Sequence, residues 1–223
     1  MIPLDVTSDE SVHGAVATIV EREGRLDAVV NNAGYGIAGA VEETTTEAAR
    51  EQFETNFFGT MRVCRAALPI MRQQGGGRIV NVSSIAGQVA IPFQALYSAS
   101  KFAVEGFTEA LRMEAAPFGI RVSLIEPGDF RTRFSGNRQL TFSGETDAYR
   151  ELARRAIGVM ERDETHGPTP EAVARLVEHI LTRRSPRLRY TVGPISERLA
   201  IGLKRFVPAR LFEWGIATYY GVR

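Results

Sequence analysis

The feature that most constrains this chain is an alternation of short, almost continuous apolar runs with longer stretches of helical spacing. Residues 26–31 (Leu-Asp-Ala-Val-Val-Asn), 78–82, 120–125 and 189–192 are the short runs. Bounded by Gly, Pro and polar residues, they predict strands buried on both faces. Between the runs, Val12, Ala15, Val16, Ile19 and Val20 recur at helical spacing, with Gly24 as a stop. Thr7 with Glu10, and Thr44 with Glu47, have the capping-box spacing of helix starts. The second of these opens a helical stretch towards Gln74 that Gly59 and Pro69 are expected to perturb. Helices are also predicted over 95–116, around 148–162, and over 170–181 after Thr169, with weak periodicity between Arg133 and Pro170. Strands alternating with helices predict βαβ units and an open α/β parallel sheet covered on both faces. In such sheets ligands bind beyond the carboxyl ends of the strands.

The length of 223 residues suits one domain over 1–223, and neither a linker nor an internal repeat divides it. The 27 basic residues nearly balance the 26 acidic ones, which argues against a nucleic-acid partner. Cys64 is the single cysteine, so no disulfide framework or Cys-rich zinc site is expected, and it reads as a core residue. His13, His166 and His179 lack ligand spacing, so no metal site is expected. No apolar run reaches membrane-spanning length and no signal-peptide pattern opens the chain, which gives the expectation of a cytoplasmic protein.

Three strand ends carry small and polar residues: Asn31-Asn32-Ala33-Gly34, Ser83-Ser84 and Glu126-Pro127-Gly128. Any one of them could be a simple turn. Gly34-Tyr35-Gly36-Ile37-Ala38-Gly39 has the spacing of a dinucleotide fingerprint, but the next helix signal waits until Thr44, so the match is weak. Tyr97 and Lys101 carry more weight. Four residues apart, they share one face of a predicted helix. A nearby cation lowers a phenol's pKa, so Lys101 is expected to bring Tyr97 towards acid–base work near neutral pH. Only Lys101 and Lys204 are lysine among the basic residues, and with six tyrosines the chance expectation of Tyr-x-x-x-Lys is about 0.05. Ser84, at the end of a buried strand, could hydrogen-bond an oxygen that gains charge as a carbonyl is reduced.

Together these segments resemble the short-chain dehydrogenase/reductase family. Asn31-Asn32-Ala33-Gly34, Asn56-Phe57-Phe58-Gly59, Ser84, Tyr97-Ser98-Ala99-Ser100-Lys101 and Pro127-Gly128-Asp129-Phe130-Arg131-Thr132 match its motifs in order and spacing, and Leu4-Asp5-Val6-Thr7 is similar to its adenine-contacting segment. The resemblance covers roughly residues 4–132. It implies a Rossmann-like doubly wound sheet and an NAD(P)-dependent oxidoreductase interconverting an alcohol and a carbonyl, with NADP favoured over NAD. It also implies roles: Tyr97 as general acid/base, Lys101 tuning it and binding the nicotinamide ribose, Ser84 orienting the substrate oxygen, and Asn56 holding a water in a proton relay. Asp5 and Val6 would contact the adenine, Asn32, Ala33 and Gly34 would line the cofactor, and Pro127, Gly128 and Thr132 would meet the nicotinamide. Homo-oligomers are implied as well, since related enzymes pair through two long helices.

Relative to the family pattern, about 55–60 residues carrying the Gly-rich turn and its phosphate-binding helix N-terminus have no counterpart before Leu4. The expectation is therefore an N-terminally truncated domain, with Met1 an internal methionine of a longer product and the strand at 26–31 left as an apolar edge. A catalytically inactive scaffold of the same fold is the alternative. The family's substrate loop corresponds to 133–168 and carries Phe134, Leu140 and Phe142, which suggests a bulky apolar small-molecule substrate. The tail, 195–223, mixes Leu199, Ile201, Leu203, Phe206, Leu211, Phe212 and Trp214 with Arg198, Lys204, Arg205 and Arg210. Such a stretch can lie on a membrane surface; packing over the substrate cleft or a partner subunit is the preferred reading.

Overall fold

The computed structural model describes residues 1–132, 134–141 and 148–223. Phe142, placed on the substrate loop by its sequence position, lies outside the described residues. Helix α1 (Asp9–Glu23) leads to strand β1 (Ala28–Asn31) and the short strand β2 (Ile37–Gly39). Helix α2 (Thr46–Phe53) runs through a π-helical segment, Glu54–Phe58, into helix α3 (Gly59–Gln73). Strand β3 (Gly77–Val82), helix α4 (Ala95–Ala115) and strand β4 (Ile120–Pro127) follow. Then come strand β5 (Gln139–Thr141), helices α5 (Arg150–His166) and α6 (Glu171–Thr182), strand β6 (Arg189–Val192), and helices α7 (Ile195–Lys204) and α8 (Ala209–Tyr219).

The elements agree with the expected alternation, but both capping boxes are misplaced by one residue. Thr7 commits its hydroxyl to Asp5 Oδ1 at 2.7 Å, so Ser8 becomes the cap of α1 and accepts from Ser11 N at 3.2 Å. Thr44 donates to Ala40 O at 2.9 Å, and Thr45 caps α2 instead, accepting from Ala48 N at 3.1 Å. A hydroxyl engaged elsewhere cannot satisfy the first free N–H groups of a helix, so its neighbour does. The opening of α6 follows the same logic. Thr169 hydrogen-bonds the Glu171 carboxylate, and Pro170 precedes the first turn without a side-chain cap. At the other end of α1, Gly24 adopts the left-handed φ of 72° and closes the last turn onto Val20 O. The long helical stretch is perturbed at Gly59, where the π segment ends, while Pro69 is accommodated inside α3.

The four-stranded sheet is parallel throughout, in the order β1-β3-β4-β6. Its middle strands are buried on both faces: Ile79, Val80, Val122, Leu124 and Ile125 have no exposed surface. On one face, Ile79 and Val122 pack with Val12 and Val16 of α1, Cys64, Ala67 and Met71 of α3, and Leu111 of α4. On the other, Val80 and Ile125 pack with Ile180 of α6. Strand β1 forms one edge, and Val30 on it is 40% exposed.

A separate parallel pair, β2 with β5, aligns Ile37–Gly39 with Gln139–Thr141. This pair decides the meaning of the G-x-G-x-x-G spacing. The last glycine lies in a strand, not a helix start, and a Cβ on Gly39 would collide with the Thr141 backbone carbonyl. A Cβ on Gly36 would stand 3.1 Å from the Phe134 ring. Here the glycines admit a neighbouring strand and an aromatic ring.

Ile79 has no freedom to be replaced by a smaller residue without leaving a void. Ile79→Ala should cost about 2–5 kcal/mol of stability, read as a lower denaturant midpoint at unchanged slope. A loss under about 1 kcal/mol would contradict a close-packed wall between the sheet and α3.

Candidate active site

Parallel pairing brings three strand ends to one edge. Ala28–Asn31 aligns with Arg78–Asn81, and Gly77–Val82 with Ile120–Ile125, so the carboxyl ends of β1, β3 and β4 lie at one edge, with β4 running two residues past β3. Asn32–Gly34, Ser83-Ser84 and Pro127-Gly128 follow these ends. The start of α4 crosses the same edge and presents Tyr97 and Lys101. Asn56 anchors the cluster from the π segment, a deviation that recurs at functional sites. Its Nδ2 donates to Tyr35 O and to Ser100 Oγ, both at 3.0 Å, and its Oδ1 accepts from Tyr35 N at 3.1 Å. Ser100 in turn donates to Tyr97 O at 2.7 Å, which ties the strand-end loop to the first turns of α4.

Ser84 accepts from Ala86 N at 3.1 Å, which fixes its side chain where it hydrogen-bonds the Tyr97 phenol. Tyr97 is 7% and Lys101 6% exposed. Burial pushes the phenol up to about 12; the Ser84 hydrogen bond opposes this, Glu164 and Asp129 add to it, and Arg138 opposes it. The expectation that Lys101 lowers the tyrosine's pKa is therefore corrected. Its Nζ lies 5.8 Å from the ring centre and donates to Val82 O at 3.0 Å, while loss of water around the phenol outweighs the cations nearby. Burial pushes the Lys101 ammonium itself down to about 8, with Glu105 opposing.

The ammonium also faces Gly34. A Cβ there would stand 3.0 Å from Asn56 Oδ1 and 3.6 Å from Lys101 Nζ, so the bare backbone leaves a cradle that a sugar or flat ring can approach. A groove of about 300 Å³ runs along the β1 edge, lined mostly by apolar side chains of α1, β1 and α3 and, nearest the strand end, by Asn31, Asn32 and Ala33. Val6 packs against Gly59, and its carbonyl accepts from Arg62 Nη1 at 2.6 Å. The Asp5 carboxylate is held below its usual range by hydrogen bonds from the Thr7 N–H and hydroxyl. Thr132, on the opposite side, accepts from Phe134 N at 3.1 Å. Of the residues assigned to a dinucleotide, Val6, Asn32 and Ala33 share this groove, and the space beside Gly34 and Lys101 is open enough to admit its nicotinamide–ribose end.

Sequence reasoning missed four groups here. The Arg138–Glu164 ion pair is buried beside Phe134, whose ring lies 5.5 Å from that of Tyr97. Asp129 and Glu197 form a carboxyl pair: Glu197 Oε2 accepts from Asp129 N at 3.1 Å and fills the space a side chain on Gly128 would occupy. Glu197 belongs to the tail, which also reaches the site's rim through Lys204, bonded to Gln88 O, and through Tyr219, bonded to Asp163 Oδ2 at 2.6 Å. Leu199, Leu203, Phe206, Leu211 and Trp214 of the tail remain exposed. Among the described residues no helix is long and apolar enough to cross a membrane, and no cluster of side chains could hold a metal.

Burial, followed by Glu197, pushes Asp129 up to about 8, and burial also raises Glu197. An acid whose pKa rises on folding binds more protons folded than unfolded, so stability falls as pH climbs from about 4 to about 8. Asp129→Asn should therefore raise the melting temperature by a few degrees at pH 8 and leave it unchanged near pH 4. An equal shift at both values would rule out the pair as its source.

The short chain dehydrogenase family matches residues 1–141. A 3-ketodihydrosphingosine reductase of Bacteroides thetaiotaomicron is 41% identical over 224 residues, which cover 100% of this chain and 83% of that one. A short-chain dehydrogenase of Streptomyces avermitilis, solved by crystallography, is 38% identical with a TM-score of 0.80, covering 97% of this chain and 78% of that one. An alcohol dehydrogenase of Thermococcus sibiricus, complexed with 5-hydroxy-NADP, is 25% identical with a TM-score of 0.65 and covers 86% and 73%. The chain is an oxidoreductase of the short-chain dehydrogenase/reductase family.

Proposed function

We propose that this protein reduces the keto group of a bulky, largely apolar compound to an alcohol, with NADP(H) or NAD(H) as cofactor. One observation carries the reading: Tyr97, buried and hydrogen-bonded to Ser84 at the meeting point of three strand ends, is a protonated phenol at neutral pH placed beside a second hydroxyl that can hold the same oxygen. A group in that state is a proton donor, as reduction of a carbonyl requires. The cofactor when bound supplies the hydride. Ser84 Oγ donates a hydrogen bond to the substrate oxygen, and the Tyr97 proton passes to that oxygen as its charge develops. Lys101, charged at neutral pH and beside Gly34, would hold the ribose hydroxyls of the bound cofactor. Asn56 fixes the Tyr35 loop and Ser100, and so keeps Tyr97 in place.

The ketone direction is supported by the name of the Bacteroides relative, and the apolar character by Phe134 against Tyr97 with Leu140 on the same loop. The cofactor is supported by the nucleotide complex of the Thermococcus structure, by Val6, Asn32 and Ala33 lining one groove, and by the open backbone of Gly34 beside Lys101.

The test is oxidation of NADPH or NADH in the presence of 3-ketodihydrosphingosine and shorter alkyl ketones. Tyr97→Phe should lower kcat by about 10²–10⁴ while nicotinamide fluorescence still reports cofactor binding. Wild-type turnover in that variant would remove Tyr97 from the proton-transfer step. A pH profile gives a second check. Lys101 loses its charge as pH rises through about 8, so kcat/KM for reduction should fall above that value. A profile flat to about 10 would show that its charge is not needed.

A further inference from the structure

The contacts of the tail, 195–223, with the site use only one side of it. On α7, Glu197 and Lys204 stand seven residues apart and so share one face. Both turn inward: Glu197 Oε2 accepts from Asp129 N, and Lys204 donates to Gln88 O and lies over the Phe102 ring. The helix rests against the turn at 85–87 that follows Ser84. At the far end of α8, Tyr219 holds Asp163. Among the described residues, nothing covers the opposite side of the two helices.

That side is ordered. Ile195, Leu199 and Leu203 follow one another at i,i+4 along α7, Phe206 comes three residues later in the turn, and Leu211 and Trp214 share a face of α8. All six are exposed, Phe206 at 87%. Apolar side chains scattered singly over a surface need no explanation, but a row along one helix and around a turn to the next does. Arg198 and Arg205, again seven apart, flank the row on α7, and Arg210 precedes Leu211. Among the described residues no carboxylate pairs with any of these three arginines.

Charge narrows the partner. The tail holds five basic and two acidic residues, and one of the acids, Glu197, is turned onto Asp129. The whole chain carries a net charge of only +1, so the tail is a basic patch on a slightly acidic remainder. A second copy related by a two-fold axis would set the row on itself and bring the same arginines together, which like-charge repulsion opposes. The face calls for a surface that is negative outside and apolar beneath. The headgroups and acyl chains of an anionic bilayer have that order, and arginines beside exposed Leu, Phe and Trp suit helices lying in the plane of its interface. No helix among the described residues is long and apolar enough to cross it.

We propose that the outward side of α7 and α8 docks the protein on an anionic lipid surface, with Leu199, Leu203 and Phe206 entering between the headgroups and Arg198, Arg205 and Arg210 meeting the lipid phosphates. Trp214 is the single tryptophan of the chain and stands in the row, so it reports on the contact directly. When the full chain is mixed with vesicles of phosphatidylglycerol and phosphatidylcholine, its emission should shift to the blue and the protein should float with the vesicles. Both responses should weaken as salt is raised. The triple variant Arg198→Gln/Arg205→Gln/Arg210→Gln should weaken binding about 100-fold, at about fivefold for each basic residue. Leu199→Ser/Phe206→Ser should lose the flotation. All five positions are exposed, so the circular dichroism of both variants should match that of the wild type.

Equal binding to vesicles of phosphatidylcholine alone, or no binding to the anionic ones, would overturn the proposal. So would a concentration-dependent dimer in light scattering that Leu199→Ser/Phe206→Ser dissolves, because that result gives the face to a second copy. None of these measurements uses turnover, so the outcome is separate from that of the ketone-reductase reading, and Tyr97→Phe should bind the vesicles as the wild type does.

Discussion

Everything in the site depends on three parallel strands whose carboxyl ends share one edge of the sheet. Because β1, β3 and β4 are in register, Asn32–Gly34, Ser83-Ser84 and Pro127-Gly128 emerge along one line. Their middle member is buried on both faces, so the line cannot tilt without opening the core. Helix α4 is laid across that line and held by the chain of hydrogen bonds from Asn56 through Ser100 to the Tyr97 carbonyl. Positions set this way belong to the scaffold, which suits a site that must hold a proton donor against a reacting oxygen.

Exclusion of water then does the electrochemical tuning. The same burial acts in opposite directions on the two central side chains: it holds the proton on the phenol and loosens it from the ammonium. Lys101 keeps its charge by donating to the Val82 carbonyl and by its proximity to Glu105. The pair is better described as a retained acid beside a marginal cation than as a phenol ionised by its neighbour.

Much of this was legible in the sequence, for a physical reason. Tyr97 and Lys101 lie one helical turn apart, and Ser84 ends an apolar run, so local periodicity alone puts them on a helix face and at a strand end. The fold class followed from the same periodicity. The errors came where one interaction competed with another. Thr7 and Thr44 have capping spacing, but each hydroxyl found a nearer acceptor. The direction of the Tyr97 shift depends on how much water the packed chain excludes, which spacing does not encode. Arg138 with Glu164, and Asp129 with Glu197, are joined across 26 and 68 residues by the packing of loops and helices with weak patterns of their own. No short-range signal marks either pair.

The stretch from Gly34 to Gly39 has two ends with different duties. Gly34 opens onto Lys101 and Asn56, whereas Ile37–Gly39 is hydrogen-bonded to the strand that follows Arg138. A molecule seated at the first end and another seated at the second bear on the same six residues. Any coupling of their binding free energies would run through this segment, and by reciprocity each would alter the affinity for the other by the same factor. Such a coupling would be the same whichever reactant bound first, so it would set the affinity of each for the occupied protein and not the order in which they arrive.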